Sequence, residues 1–301
     1  MYDLIIVGAG PAGLTAAIYA FRKRLNVLVV SRDLGGKTNY HLTLPGVETH
    51  PVIRGIEIVE KFRRELEYLD FARRMAAVAT INKKDNLFTV TTTGGIDLTT
   101  KSVILATGSQ VKRLNVPGER DYTGRGLTYS AISYAPLFIN KRTVVIGDGQ
   151  LALRAVAELA QVASTVHVVA PTRGALDTAL GRKLIANTLK VILWEGYRVK
   201  AIHGGDFAER VVLETPQGQA TEIETDGIFV ELGLLPNSGL VTGLADLDEH
   251  GCVMIDKRNC TSCPGLFAAG DVTNAYAEQV LIAVGEGAKA ALSAYEYLLS
   301  Q

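Results

Sequence analysis

The chain has 301 residues, 48% of them hydrophobic, and its 31 Lys and Arg are matched by 31 Asp and Glu. That length and apolar share suffice for two ordinary domains with a core each and exclude a disordered chain. The neutral balance excludes an overall field drawing nucleic acid or an anionic membrane. Three cysteines exclude a disulfide framework. No apolar run nears the ~18 residues of a membrane span, and the first strand begins too close to Met1 for a signal segment. A cytoplasmic protein with no nucleic-acid or membrane partner is expected.

Asp3 to Val7 reads as a buried parallel strand. Gly8, Gly10, Pro11, Ala12 and Gly13 then form a GxGxxG turn into a helix over Leu14 to Arg24, followed by a strand over Val27 to Val30. The first glycine permits the turn, the second admits a pyrophosphate to the backbone, and the third lets helix and strand approach. An acidic residue for the ribose is missing where the second strand ends in Ser31 and Arg32; Ser31 is the candidate substitute, with Asp33 nearby. Gly35 and Gly36 bring backbone close to the same ligand, and Lys37 and Asn39 become candidate contacts to its ring. Leu44 to Gly46 is a turn, and Gly55 to Tyr68 is an amphipathic helix. Ala76 to Thr93 alternates as antiparallel strands, and Ser102 to Gly108 is a further buried strand ending in Ala106-Thr107-Gly108. Gln110 to Gly118 has the pattern of a linker.

A second unit follows. Thr143 to Ile146 is a strand, Gly147, Gly149, Gln150, Leu151 and Ala152 give GxGxxA, Leu153 to Gln161 is a helix and Thr165 to Val169 a strand. Strands are expected over Trp194 to Ile202, Val211 to Thr215 and Gly227 to Leu232. Leu235-Pro236-Asn237 breaks the pattern, and Gly265 to Ala269, Gly270-Asp271 and a final helix from near Ala277 complete the chain. The predicted fold class is α/β, with two Rossmann-like dinucleotide-binding domains, the second (112–238) inserted into the first (1–111 and 239–301).

The motifs VGAGPAG (7–13), GG (35–36), ILATGS (104–109), GLLPN (233–237) and the segment from Pro264 to Leu298 resemble the low-molecular-weight thioredoxin reductases and the flavoprotein of alkyl hydroperoxide reductase, over essentially the whole chain. The resemblance implies FAD in the first domain, with Asp271 on the ribityl chain and the backbone of Glu278, Gln279 and Val280 near the pyrimidine end of the flavin. It marks Ala106, Thr107, Gly108 and Gly270 as further FAD contacts and implies a homodimer serving a small thioredoxin-like or ferredoxin-like redox protein.

Three departures modify that expectation. Where the family carries a redox Cys-x-x-Cys, this chain has Ser130 and Ser133, which form no disulfide. Where NADPH-using members carry a His-Arg-Arg clamp, it has Ala170-Pro171-Thr172-Arg173, and Asp148 adds a negative charge to the second glycine turn, so a donor other than NADPH is expected. Cys260 and Cys263 form a CxxC with no family counterpart, a candidate relocated redox pair with Cys252 left as a free thiol. Inert packing thiols and a zinc site of His250, Cys252, Cys260 and Cys263 are the alternatives. Together the departures resemble a diflavin-linked disulfide oxidoreductase branch, implying a second FAD in the second domain. A FAD-dependent disulfide oxidoreductase is the leading expectation, beside a flavin or ferredoxin/NAD(P) reductase-like enzyme without a thiol step and a non-catalytic flavoprotein redox sensor.

Overall fold

The computed structural model describes residues 1–46, 55–187 and 190–301. β1 (Tyr2–Val7) sends Leu4 and Ile6 into one core and Ile5 and Val7 into another, as a strand inside a parallel sheet covered on both faces must. It leads into α1 (Pro11–Arg22), and β2 (Val27–Ser31) returns parallel to it, with Leu4 opposite Val27 and Val7 opposite Val30. α2 (Ile56–Tyr68) buries Val59 and Leu66, and β3 (Arg73–Met75) pairs with β2. β4 (Val78–Lys84) and β5 (Leu87–Thr92) form a hairpin whose turn holds Asp85 at a φ of 54°. β6 (Asp97–Leu105) is antiparallel to β5 in its first half and parallel to β1, so it joins the hairpin to the parallel sheet.

The chain crosses into its second unit at β7 (Ser109–Val111). There follow α3 (Glu119–Tyr122), β8 (Leu127–Thr128), α4 (Ala131–Tyr134), β9 (Arg142–Ile146), α5 (Gln150–Val162) and β10 (Thr165–Ala170). Next come α6 (Ala179–Asn187), β11 (Val191–Glu195), β12 (Arg198–Gly204), β13 (Ala208–Glu214), β14 (Ala220–Glu224) and β15 (Gly227–Val230). The parallel order is β11-β10-β9-β15-β8. α5 packs on one face of this sheet, and the antiparallel β12-β13-β14 covers the other with Ile202, Val211, Leu213 and Ile223. β16 (Leu234–Pro236) pairs with β7 and returns the chain to the first unit, where β17 (Leu266–Ala268) pairs with β6. α7 (Val280–Leu299) then lies against α1. Their seam is built from small residues, and a side chain at Gly287 would overlap the Ala12 carbonyl.

The compact units are 1–39, 54–110 and 235–301, and 40–53 with 111–234. They differ from the expected boundaries at Tyr40 to Gly46, which lie with the second unit, and at 235–238, which lie with the first. Leu42 and Leu44 share its core with Phe138, Thr43 N donates to Gly124 O, and Tyr134 Oη donates to Tyr40 O at 3.0 Å. These contacts are distant in sequence, so no local pattern betrays them.

Candidate functional site

Each unit ends its first strand in a glycine turn whose shape follows from crowding. Gly8 has a φ of 101°, and a Cβ there would overlap the Ala106 carbonyl; one at Gly13 would overlap the carbonyl of Gly8. A Cβ at Gly10 meets nothing within 4 Å. Gly10 is also the N-cap of α1 and Pro11 its first residue, with no side chain capping the helix, so its first amides face that open space. The loop after β2 closes beside it, Gly36 packing against Gly10.

Ser31, the candidate ribose contact, also ties its own loop to the glycine turn. Its Oγ accepts from Ala9 N at 3.1 Å and donates to Asp33 O at 2.7 Å, stapling the loop to the turn. Asp33 accepts from Gly36 N at 2.9 Å. Asn39, expected at the ligand ring, donates from Nδ2 to Leu34 O at 2.8 Å and folds over Gly35. Arg32 is exposed. Lys37 alone of this loop reaches across the site: its Nζ lies 2.5 Å from the Asp271 carboxylate and donates to Ser109 Oγ at 3.0 Å.

Asp271 follows Gly270, which has a φ of 80° and donates its amide to Glu286 Oε2 at 2.7 Å. Glu286, on α7, is 7% exposed and also accepts from Thr273 Oγ1 at 3.3 Å. Burial holds its pKa above the usual carboxylate value, and the Gly270 amide opposes the shift. No motif pointed to Glu286; its one signal was a carboxylate within the small-residue stretch of the last helix. Thr107 and Asn237 exchange hydrogen bonds of 2.8 and 2.9 Å, and Asn237 N donates to Gly108 O, fixing the loop after β6. Glu278 is exposed, while Gln279 is the N-cap of α7 without a side-chain cap, and Val280 begins the helix. The FAD implied by resemblance fits these residues: an uncapped helix end with room for a pyrophosphate, and a carboxylate beside it for ribityl hydroxyls.

The second turn repeats the first with changes. Gly147 has a φ of 147°, and a Cβ there would overlap the Glu231 carbonyl; Gly149 faces open space as the uncapped N-cap of α5. Ala152 stands in the third position, fully buried, while Gln150 is exposed and Leu151 half-buried. The loop after β10 folds back on this turn, with Thr172 Oγ1 donating to Asp148 Oδ2 at 2.5 Å and Ala175 N to Asp148 O at 2.7 Å. Arg173 Nε donates to Glu195 Oε2 at 2.7 Å. Ser130 Oγ and Ser133 Oγ are hydrogen-bonded at 2.9 Å, and Ala131 N donates to the Glu231 carboxylate at 2.8 Å.

Cys260 and Cys263 are free thiols, as is Cys252. Cys260 bridges Phe267 of β17 and packs against the α1/α7 cluster, whereas Cys263 belongs to the cluster holding Ile5 and Val7. Both line a cleft of about 340 Å³ with Leu266, Phe267, Tyr297 and the Arg258–Glu296 ion pair. Phe267 precedes Asp271 by four residues, at most about 13 Å of extended chain. Cys263 precedes the amino end of β17 and Cys260 stands opposite its middle residue, while Lys37 and Asp271 gather beyond its carboxyl end. Burial, then Asp256, pushes the Cys260 thiol up; burial, then Asp248 and Glu278, does the same to Cys252. Both are thus disfavoured as thiolates. The zinc alternative is not assembled: no group of three or more potential metal ligands is gathered among the described residues. Among those residues no helix is long and apolar enough to cross a membrane.

Two nested glycine-turn units define an α/β protein with two dinucleotide sites. The family described as pyridine nucleotide-disulphide oxidoreductase matches residues 2–287, and the chain belongs to it. It is 33% identical over 303 residues to the F subunit of Pseudomonas putida alkyl hydroperoxide reductase, covering 99% of this chain and 58% of that protein. It is 32% identical over 302 residues to a Bacillus subtilis protein named NADH dehydrogenase, covering 99% and 59%. The chain thus spans somewhat under two thirds of the curated relatives it matches. The crystal structure of thioredoxin reductase from Streptococcus pyogenes matches with a TM-score of 0.88 and 33% identity, covering 100% of this chain and 99% of that one. The fold is therefore thioredoxin reductase-like.

Proposed function

We propose that the chain is a FAD-dependent oxidoreductase that draws electrons from a dinucleotide at its second glycine turn and has no disulfide relay at positions 130 and 133. The observation that carries this is the doubled cradle, an uncapped helix end behind an open glycine at both Gly10 and Gly149. FAD belongs to the first, where Lys37 and Asp271 stand ready; bound there, it supplies a two-electron carrier. Asp271 would hold the ribityl hydroxyls, Lys37 would add a positive charge beside it, and the uncapped start of α7 would favour the electron-rich pyrimidine end. Ser130 and Ser133, which the resemblance aligns with the family's disulfide, are hydrogen-bonded hydroxyls, and these cannot exchange with a thiol. Acceptors of a thioredoxin-like or ferredoxin-like kind, a homodimeric assembly and a cytoplasmic setting complete this reading.

The test is to release cofactor by denaturation, measure FAD per chain, and follow flavin bleaching under anaerobic NADH. One FAD per chain and rapid bleaching are expected. Two FAD per chain would restore a second flavin, for which the similar proteins lend no support, and flavin that no donor bleaches would restore the sensor reading. No flavin at all would overturn the proposal.

A second reading keeps Cys260 and Cys263 as a thiol relay, favoured by their shared cleft. Differential alkylation before and after chemical reduction tests it. Both thiols alkylated in air-oxidised protein would remove it, while Cys260→Ser that abolishes disulfide reduction with FAD intact would establish it.

A further inference from the structure

We infer that Glu195 selects the dinucleotide of the second unit, admitting one with a free ribose 2′-hydroxyl and excluding one with a 2′-phosphate. The inference rests on the second unit binding a dinucleotide at all. In such units a carboxylate near the end of the second strand takes the ribose hydroxyls, whereas a basic residue there accommodates a 2′-phosphate. Here the second strand, β10, ends in the apolar Ala170. Ala170 lies in register with Glu195, the last residue of neighbouring β11, so the carboxylate that β10 lacks is supplied one strand over at the same level of the sheet.

The loop between these residues and the glycine turn is already drawn in. Thr172 and Ala175 are bound to Asp148, and a side chain at Gly174 would overlap the Asp148 carbonyl. Arg173 is the guanidinium of that loop, and its Nε is bonded to Glu195 Oε2 at 2.7 Å with both side chains about half exposed, at 49% and 48%. The next arginine along, Arg182, is paired with Asp177. An arriving 2′-phosphate therefore meets a guanidinium whose charge is already paired with Glu195, and it lies near two carboxylates, Glu195 and Asp148. A 2′-hydroxyl need only donate one hydrogen bond to Glu195. Selection thus comes from repulsion as much as from attraction.

The experiment measures calorimetric binding of NAD⁺ and of NADP⁺ to the FAD-loaded protein, using oxidised nucleotides so that no turnover intervenes. Wild type is expected to bind NAD⁺ at least tenfold more tightly. Glu195→Ala should narrow that ratio tenfold or more by gaining NADP⁺ affinity, and adding Arg173→Ala should reverse the gain. Glu195→Gln, which keeps the shape, should narrow the ratio as well and serves should the alanine variant lose FAD. A ratio unchanged within twofold in both variants, or a wild type preferring NADP⁺, overturns the role of Glu195. Binding of neither nucleotide overturns the donor site itself, and FAD content separates both outcomes from misfolding.

Discussion

The two glycine turns share a geometry and differ in what surrounds them. In the first, Gly13 admits no side chain because the Gly8 carbonyl fills the space; in the second, the methyl of Ala152 is buried in the same place. Beyond the first turn stand Lys37 and Asp271, a charged pair for the polar middle of a flavin nucleotide. The second carries Asp148 within the turn and Arg173 and Glu195 beyond it, with the only cation of the three already paired. On the proposed reading, the turn offers a site for a dinucleotide and the surrounding side chains select among dinucleotides. Even the far ends of the sheets correspond: Asp3 pairs with Lys101 at the start of β1, and Arg142 at the start of β9 pairs with Asp226.

The largest contrast should come from the third position. Gly13→Ala is expected to cost about 3 kcal/mol or more, since backbone must move, whereas Ala152→Gly should cost about 1 kcal/mol as a helix glycine. Urea denaturation with equal losses for the two would break the comparison. Next, Gly10→Val should strip most of the FAD at little cost in stability, because its side chain enters open space. Gly149→Val should retain FAD and abolish binding of the second nucleotide. Absorbance of the purified variants and calorimetry check both, and full flavin in Gly10→Val would sink the assignment of the first unit.

Glu286 has buried counterparts in the second unit, Glu119 and Glu231, whose carboxylates likewise accept from backbone amides, and its effect is smaller. Its folded pKa lies above the ordinary value of 4.5, so between those values the folded state holds a proton the unfolded chain lacks. Its contribution to stability therefore falls as pH rises through that window. Glu286→Gln should gain thermal stability relative to wild type as pH increases from 4.5. A difference that is flat with pH would remove the buried-carboxyl account.

The smallest effects belong to Asp3 and Asp226, whose pKa values are lowered: burial acts against the shift, and hydrogen bonds from Lys101 and Arg142, respectively, outweigh it. Their stabilisation is fully present above 3.8 and is lost as pH falls through the lower folded values. Both pairs are partly exposed, so Asp3→Asn and Asp226→Asn should each cost under about 1 kcal/mol. Chemical denaturation at neutral pH and near pH 3 would show the difference shrinking toward acid.

Sequence alone determined the elements whose causes are local. Both glycine turns, the apolar strands before them and the helices after them lie within about thirty residues, where periodicity and the special freedom of glycine are visible. Tertiary structure decided whatever depends on residues far apart in the chain. Lys37 meets Asp271 only because β2 and β17 carry their loops to one end of a sheet, and Glu286 grips the Gly270 amide from a different element. Ser31 and Asn39 have the right chemistry for a ligand, and in this structure Ser31 ties the loop to the glycine turn through Ala9 N while Asn39 donates to Leu34 O within it. Cys260 and Cys263 have redox spacing, but spacing carries no information about which end of β17 they occupy. Glu195 escaped notice because its meaning is its register with Ala170, and register between strands is fixed by pairing across the sheet.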